Sequence, residues 1–110
     1  MNPIPFGVFA LLAVGLATPA LAADEAAQLA LGKQLFTEVA VPACALCHTL
    51  KDAGSEGAIG PVLDELKPDA ERVAKAVRGG LGQMPSYEGK LSEEQIAAIA
   101  LYVSRVSGAK

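Results

Sequence analysis

Residues 44–48 read Cys44-Ala45-Leu46-Cys47-His48, and they contain both cysteines and the single histidine of the 110-residue chain. C-x-x-C-H is the signature of c-type haem attachment. The spacing has a physical reason. Two thiols three residues apart on a turn of helix reach both vinyl groups on one edge of a porphyrin, and the adjacent imidazole projects under the ring to ligate the iron. Two other uses of these residues stand beside this one. A thioredoxin-type Cys44/Cys47 dithiol belongs next to a βαβ pattern, which the chain does not show. A structural zinc site needs four ligands, and Cys44, Cys47 and His48 supply three.

The N-terminus points to export. The first 23 residues carry no Lys, Arg, Asp, Glu or His, and an apolar stretch from Phe6 to Leu16 leads into Ala20-Leu21-Ala22. This is the form of a secretory signal with its cleavage site after Ala22, although its only positive charge is the α-amino group. An uncleaved anchor is the alternative, because about 20 apolar residues span a bilayer. Removing 22 of the 110 residues leaves an 88-residue domain, residues 23–110, with a net charge of −3 and only Phe36, Tyr87 and Tyr102 as aromatics. That balance lacks the basic footprint of a nucleic-acid binder. It also makes a thin core, of the kind that small chains complete with a cross-link or cofactor.

Three helices are predicted, and no segment alternates like a strand. The first runs from about Asp24 to Val39, with Leu31, Leu35 and Val39 as its apolar stripe and Phe36 beside them. The second runs from about Pro68, placed as first helical residue, to Arg78, with Gly79-Gly80 as its stop and Ala70, Val73, Ala74 and Val77 as its buried face. The third opens on the capping box Ser92-Glu93-Glu94-Gln95, carries Ile96, Ile99, Ala100 and Val103 at helical spacing, and ends at Gly108. Two Gly-rich connections, Gly54–Pro61 and Gly79–Gly89, are long for so small a domain, and such loops usually wrap something.

A sixth iron ligand follows by elimination. Met84 is the only methionine beyond the signal, and His48 is already used. Met84 lies in the loop Gly82-Gln83-Met84-Pro85, off every apolar stripe, so it reads better as a ligand than as core filler. A lysine ligand, or an open iron position, is the alternative.

With these residues in view, the chain resembles the small class I cytochromes c over almost all of residues 23–110. Gly32-Lys33-Gln34-Leu35-Phe36 is similar to the family's N-terminal helix, in which a glycine lets the C-terminal helix cross closely beside an aromatic, and Ile99-Ala100-Leu101-Tyr102-Val103 to that C-terminal helix, with Tyr102 as the packing aromatic. The resemblance implies an all-α fold wrapped around one covalent haem c. It implies that the Pro61 carbonyl accepts the ligand imidazole's Nδ1–H, that Leu63 lines the haem pocket, and that Met84-Pro85 is the axial Met-Pro. It also implies maturation in the exported compartment, and a single-electron carrier between redox proteins rather than an enzyme. The stretch from Val41 to Leu66 is similar to the small cytochrome subunit or acceptor of bacterial sulfite dehydrogenases, which would make a molybdenum sulfite dehydrogenase the partner. Two features depart from the family. Extra residues, Val39–Ala43, precede Cys44, and no Trp is available for a haem propionate, leaving Tyr87, Arg72 and Arg78 as candidates. A five-coordinate ligand-binding haem protein and a haem-free dithiol oxidoreductase are the other functional classes. Arg72, Lys75 and Arg78, at i, i+3 and i+6, read as a solvated helix face, with part of a docking face as the alternative. The mild acidity argues against strong attachment to anionic lipid.

Overall fold

A computed structural model describes residues 1–5, 7, 8, 10–13, 15 and 19–110, with the side chains of 19–23 left out of the description. Phe6, Phe9, Val14 and Leu16 of the expected signal therefore lie outside the described residues, as do the side chains at its cleavage site, Ala20-Leu21-Ala22. Among the described residues no helix is long and apolar enough to cross a membrane.

The C-terminal helix forms as its sequence dictates. Ser92 Oγ accepts from the Gln95 N–H at 3.1 Å, and Gln95 Oε1 accepts from the Ser92 N–H at 2.9 Å. The reciprocal pair satisfies two orphan donors and starts the helix Glu93–Ser107, numbered α5 below. Gly108, at φ +82°, ends it in the left-handed conformation that a Cβ disfavours. Ile96, Ile99, Ala100 and Val103 are all buried.

The N-terminal helix differs from expectation at both ends. It begins at Pro19 rather than Asp24 and runs as α1, Pro19–Gln34. Proline is tolerated in a first turn, and the alanines after it are the strongest helix formers. Its continuation, Leu35–Val39, is a wider π-helical turn, closed by the Ala40 N–H on the Leu35 carbonyl at 3.0 Å. The buried stripe is also rotated from the predicted one. Leu31 and Val39 are exposed, whereas Gly32, Leu35, Phe36 and Ala40 are buried. Hydrophobic periodicity missed Gly32, whose lack of a side chain is the reason it lies at the contact. A Cβ there would fall 2.5 Å from Tyr102 Cβ and closer still to the Ala98 carbonyl oxygen. The two helices can cross this closely only over glycine.

Around that crossing, Phe36 and Tyr102 meet edge to face, with ring centroids 6.0 Å apart and planes at 64°. Tyr102 donates its hydroxyl to Asp52 Oδ2 at 2.6 Å, and Lys33 Nζ lies 3.5 Å from the same oxygen. Asp52 thus ties both crossing helices to the segment that follows the C-x-x-C-H motif.

Several short elements intervene between α1 and the later helices. Cys44–Cys47 is a single helical turn, α2. Thr49–Leu50 (β1) and Ser55–Glu56 (β2) form a two-residue antiparallel ladder in which Thr49 faces Glu56 and Leu50 faces Ser55. Leu63–Leu66 is another single turn, α3. The sequence reading foresaw none of the last three elements, because periodicity has no reach over two to four residues. The next helix is α4, Ala70–Gly79, which packs against α5. Pro68 precedes it rather than opening it. Asp69 is the N-cap, its side chain accepting from the Arg72 N–H at 2.8 Å. Val73 and Val77 are buried as expected, while Ala70 is exposed in the first turn.

Candidate haem site

The motif turn α2 opens onto a cavity of about 530 Å³, within the size range of small-molecule and cofactor pockets. Cys44, Cys47 and His48 line one side of it. Pro61 lines it from the loop after β2, Leu63 from the start of α3, and Met84 from the loop after α4. All six residues singled out from the sequence therefore share one cavity, although 40 positions separate Cys44 from Met84. Phe36, Val73, Val77, Ile99 and Val103 complete much of the apolar wall. The thin core anticipated from composition is a core with a space in it.

His48 is held from several directions. Its Nδ1–H donates to the Pro61 carbonyl at 2.9 Å, as the resemblance implied. That tautomer leaves Nε2 with a free lone pair, the state a metal-ligating imidazole needs. The loop carrying Pro61 reaches this position through two glycines that the sequence reading did not single out. A Cβ on Gly57 would lie 2.5 Å from His48 N, and one on Gly60 would lie 2.6 Å from His48 Cε1. The Gly60 N–H also donates to the Cys47 carbonyl at 2.7 Å, pinning loop to motif. Ser55 Oγ donates to the His48 carbonyl at 2.8 Å, and Thr49 Oγ1 to the Gly57 carbonyl at 2.9 Å. The expected wrapping loop 54–61 thus wraps the histidine itself.

Met84 is fixed through its backbone. Its N–H donates to the Leu81 carbonyl at 2.9 Å, and its carbonyl accepts from the Leu81 N–H at 3.0 Å. Gly80, at φ +74°, lets the chain leave α4 here, where a Cβ would lie 2.8 Å from the Met84 carbonyl oxygen. Tyr87 anchors the far end of the same loop, its N–H on the Val77 carbonyl at 2.9 Å and its hydroxyl donating to the Pro42 carbonyl. The extra residues before Cys44 are therefore what Tyr87 holds in place. Burial raises the Tyr87 phenol to about 12.

Of the three candidates for a propionate, the structure separates Arg78 from the cavity. Both Nε and Nη2 of Arg78 donate to the Glu93 carboxylate, at 3.1 and 2.8 Å, and Arg78 is not on the wall. Arg72 and Tyr87 are on it. Sequence spacing placed Arg72 and Arg78 on one face and could not see that Glu93, across the α4–α5 contact, claims only the second.

The alternative chemistries fit less well. Desolvation, with a smaller contribution from nearby Cys47, raises the Cys44 thiol to about 11. A redox dithiol needs the opposite, a thiolate stabilised near neutral pH. Among the described residues no cluster of three or more His, Cys, Asp and Glu side chains is arranged to hold a metal ion, so the zinc arrangement has no support. For haem c the fit is good. There are two thiols on one helical turn, an adjacent imidazole with its outer nitrogen satisfied, and an apolar cavity with a thioether among its wall residues.

Comparisons with known proteins point to the same cofactor. Residues 27–103 match the family described as cytochrome c oxidase, cbb3-type, subunit III. The chain is 37% identical over 103 residues to a cytochrome c6 of Picosynechococcus, covering 79% of this chain and 77% of that one. It is 36% identical over 106 residues to a cytochrome c6 of Rippkaea orientalis, covering 89% and 85%. Among solved structures it superimposes on the c-type cytochrome SorU from Sinorhizobium meliloti with a TM-score of 0.73 and 57% identity, over 76% of this chain and 95% of the other. The helical fold, the haem-attachment motif and these likenesses converge: the chain belongs to the cytochrome c family, as a small class I electron-transport protein with one covalently attached haem c.

Proposed function

We propose that the protein is a periplasmic single-electron carrier in which Cys44 and Cys47 bind the haem as thioethers and His48 and Met84 are its axial ligands. The observation that carries this reading is that these four residues line one cavity, with the imidazole oriented by the Pro61 carbonyl. Haem c supplies an iron that cycles between Fe(III) and Fe(II). The chain's own residues set the terms of that cycle. The Nδ1–H bond to Pro61 keeps the imidazole orientation fixed and raises its basicity. The Met84 thioether, a soft ligand, favours Fe(II), and Leu63 with the other apolar wall residues keeps water away, which acts in the same direction. With His48 and Met84 both holding the iron from a rigid frame, little rearrangement would accompany electron transfer and no open position would remain for substrate.

Removal of residues 1–22 after Ala22, with residues 23–110 as the mature domain, is part of the proposal and rests on the signal-like leader. The physiological partner we propose is a molybdenum sulfite dehydrogenase, with this chain as its acceptor or subunit. That rests on the similarity of residues 41–66 to the small cytochromes of those enzymes.

The test is export from a host competent in c-haem maturation, followed by intact mass and visible spectroscopy of the wild type and Met84→Ala. The expected wild-type mass is Ala23–Lys110 plus one haem, with a thioether-to-iron charge-transfer band in the oxidised protein. Met84→Ala should keep the haem, lose the band and bind carbon monoxide rapidly when reduced. A band that survives the substitution refutes Met84 as ligand. For the partner, sulfite-dependent reduction by a bacterial sulfite dehydrogenase at catalytic concentration is expected, and no reduction above the sulfite-only control refutes that assignment.

A further inference from the structure

The cavity wall is mostly apolar, and its titratable side chains are Cys44, Cys47, His48, Tyr87 and Arg72. Haem brings two propionate carboxylates to this site, and a carboxylate leaving water needs a partner. Three of the five titratable groups belong to the attachment motif. Tyr87 has one O–H, which it donates to the Pro42 carbonyl. Gln83 offers a neutral amide on the same wall. Among the described wall residues Arg72 is the one with a permanent positive charge.

Arg72 is also placed and free to act. It stands in the first turn of α4, where its own N–H is secured by Asp69 Oδ1 at 2.8 Å. The side chain is exposed while lining the cavity, so it sits at the mouth, where an amphipathic cofactor keeps its charged edge. Among the described residues its guanidinium forms no ion pair, whereas Lys33, Arg78 and Arg105 pair with Asp52, Glu93 and Glu25. Of the charged neighbours on its own helix, Asp69, Glu71 and Lys75, none lines the cavity.

We infer that Arg72 is the propionate-binding residue of this haem site, holding one carboxylate at the cavity mouth through charge-assisted hydrogen bonds. The inference rests on the covalent haem and axial pair proposed above. Guanidinium suits the task because it stays charged at all accessible pH and matches a carboxylate with two parallel donors. Two consequences follow. The neighbouring cation keeps the propionate ionised to lower pH. It also offsets the propionate's negative field at the iron, which would otherwise favour Fe(III).

The experiment is spectroelectrochemical titration of holo-protein across about pH 5 to 8, for wild type, Arg72→Gln, Arg72→Lys and Lys75→Gln. The wild-type midpoint potential should be nearly flat. Arg72→Gln should lower it at the alkaline end and introduce a rise towards acid as the propionate takes a proton inside the window. Arg72→Lys should restore most of the alkaline value, and Lys75→Gln, the same charge change off the wall, should follow the wild type. A profile for Arg72→Gln that matches wild type, or one no different from Lys75→Gln, overturns the inference. If Arg72→Gln accumulates no holo-protein, Arg72→Lys decides. A point charge in place of the fork must move the low-pH titration upward, and an unchanged profile overturns the assignment. The thioether-to-iron band, recorded in the same samples, reports on the axial pair independently of either result.

Discussion

Replacing Gly60 by alanine tests how the ligand histidine is held. The φ of Gly60 is not in the left-handed region, so alanine is compatible with the backbone and the perturbation is steric. The new Cβ would lie 2.6 Å from His48 Cε1, 2.8 Å from Nδ1 and 3.0 Å from Nε2. Ordinary contact begins near 3.4 Å, so something must retreat by about 0.8 Å. If the ring retreats, its 2.9 Å bond to Pro61 passes beyond hydrogen-bonding range. If the loop retreats, the 2.7 Å bond from the Gly60 N–H to the Cys47 carbonyl is lost instead. Either way one hydrogen bond goes, at about 1 kcal/mol net, and overpacking adds about 1–3 kcal/mol. Reduced freedom of the unfolded chain returns about 0.5 kcal/mol. The net is a destabilisation of about 1.5–3.5 kcal/mol, or a Tm lower by about 6–28 °C at about 4–8 °C per kcal/mol for a domain of this size. The two routes separate electrochemically. Losing the Nδ1 bond lowers the imidazole's basicity and removes a preference for Fe(III). At about 1 kcal/mol this raises the potential by about 40 mV, since a tenfold change in a one-electron equilibrium is about 59 mV. Thermal unfolding followed by far-UV circular dichroism, with spectroelectrochemistry on the same holo-protein, reads both. A Gly60→Ala protein with wild-type Tm and wild-type potential refutes the argument that this loop is pressed against the ligand.

The helix crossing makes a prediction whose sign is informative. Gly32→Ala gains about 1 kcal/mol of helix propensity but forces a Cβ to within 2.5 Å of Tyr102 Cβ, at an overpacking cost of about 3 kcal/mol. Denaturant unfolding should show a net loss of about 2 kcal/mol, and a variant more stable than wild type would mean that the helices do not meet there. At alkaline pH the buried tyrosines should weaken the fold. Burial raises Tyr87 to about 12, and burial followed by the bond to Asp52 raises Tyr102. The folded state therefore holds these protons more tightly than the unfolded state, whose phenols titrate near 10.0. The stabilisation is complete below about pH 10 and is lost as pH rises towards about 12. Unfolding free energy measured at intervals across that range should fall above pH 10, less steeply in Tyr87→Phe, and constancy to pH 11 would contradict the burial of both phenols.

The motif Cys44–His48 was legible because covalent haem attachment demands a fixed local spacing, and local spacing is what a sequence displays directly. The capping box at Ser92 and the stripe of α5 were legible for the same reason, since both depend on neighbours one turn away. Asp69 should have been legible as a cap, but Pro68 offered a competing helix start at the adjacent position. Gly32 was legible only through the family resemblance, as the glycine over which the C-terminal helix crosses, and Gly60 was opaque in function. Each is needed because a distant segment, α5 for the one and the His48 ring for the other, comes closer than any Cβ permits. The rotated stripe of α1 has the same origin, since its contact face is set by the partner helix and centred on a residue with no hydrophobicity to detect. Met84 could be reached by elimination, but only the chain reversal after α4 brings it to the wall that holds Cys44 and His48. Arg72 and Arg78 look equivalent along the chain. Tertiary packing divides them, because Glu93 of α5 neutralises Arg78 while Arg72 faces the cavity mouth. The sequence by itself thus determined the cofactor, through chemistry confined to five consecutive residues. The assembly of the cavity, and the charge left free at its edge, depended on contacts between residues far apart in the chain, which only the folded structure brings together.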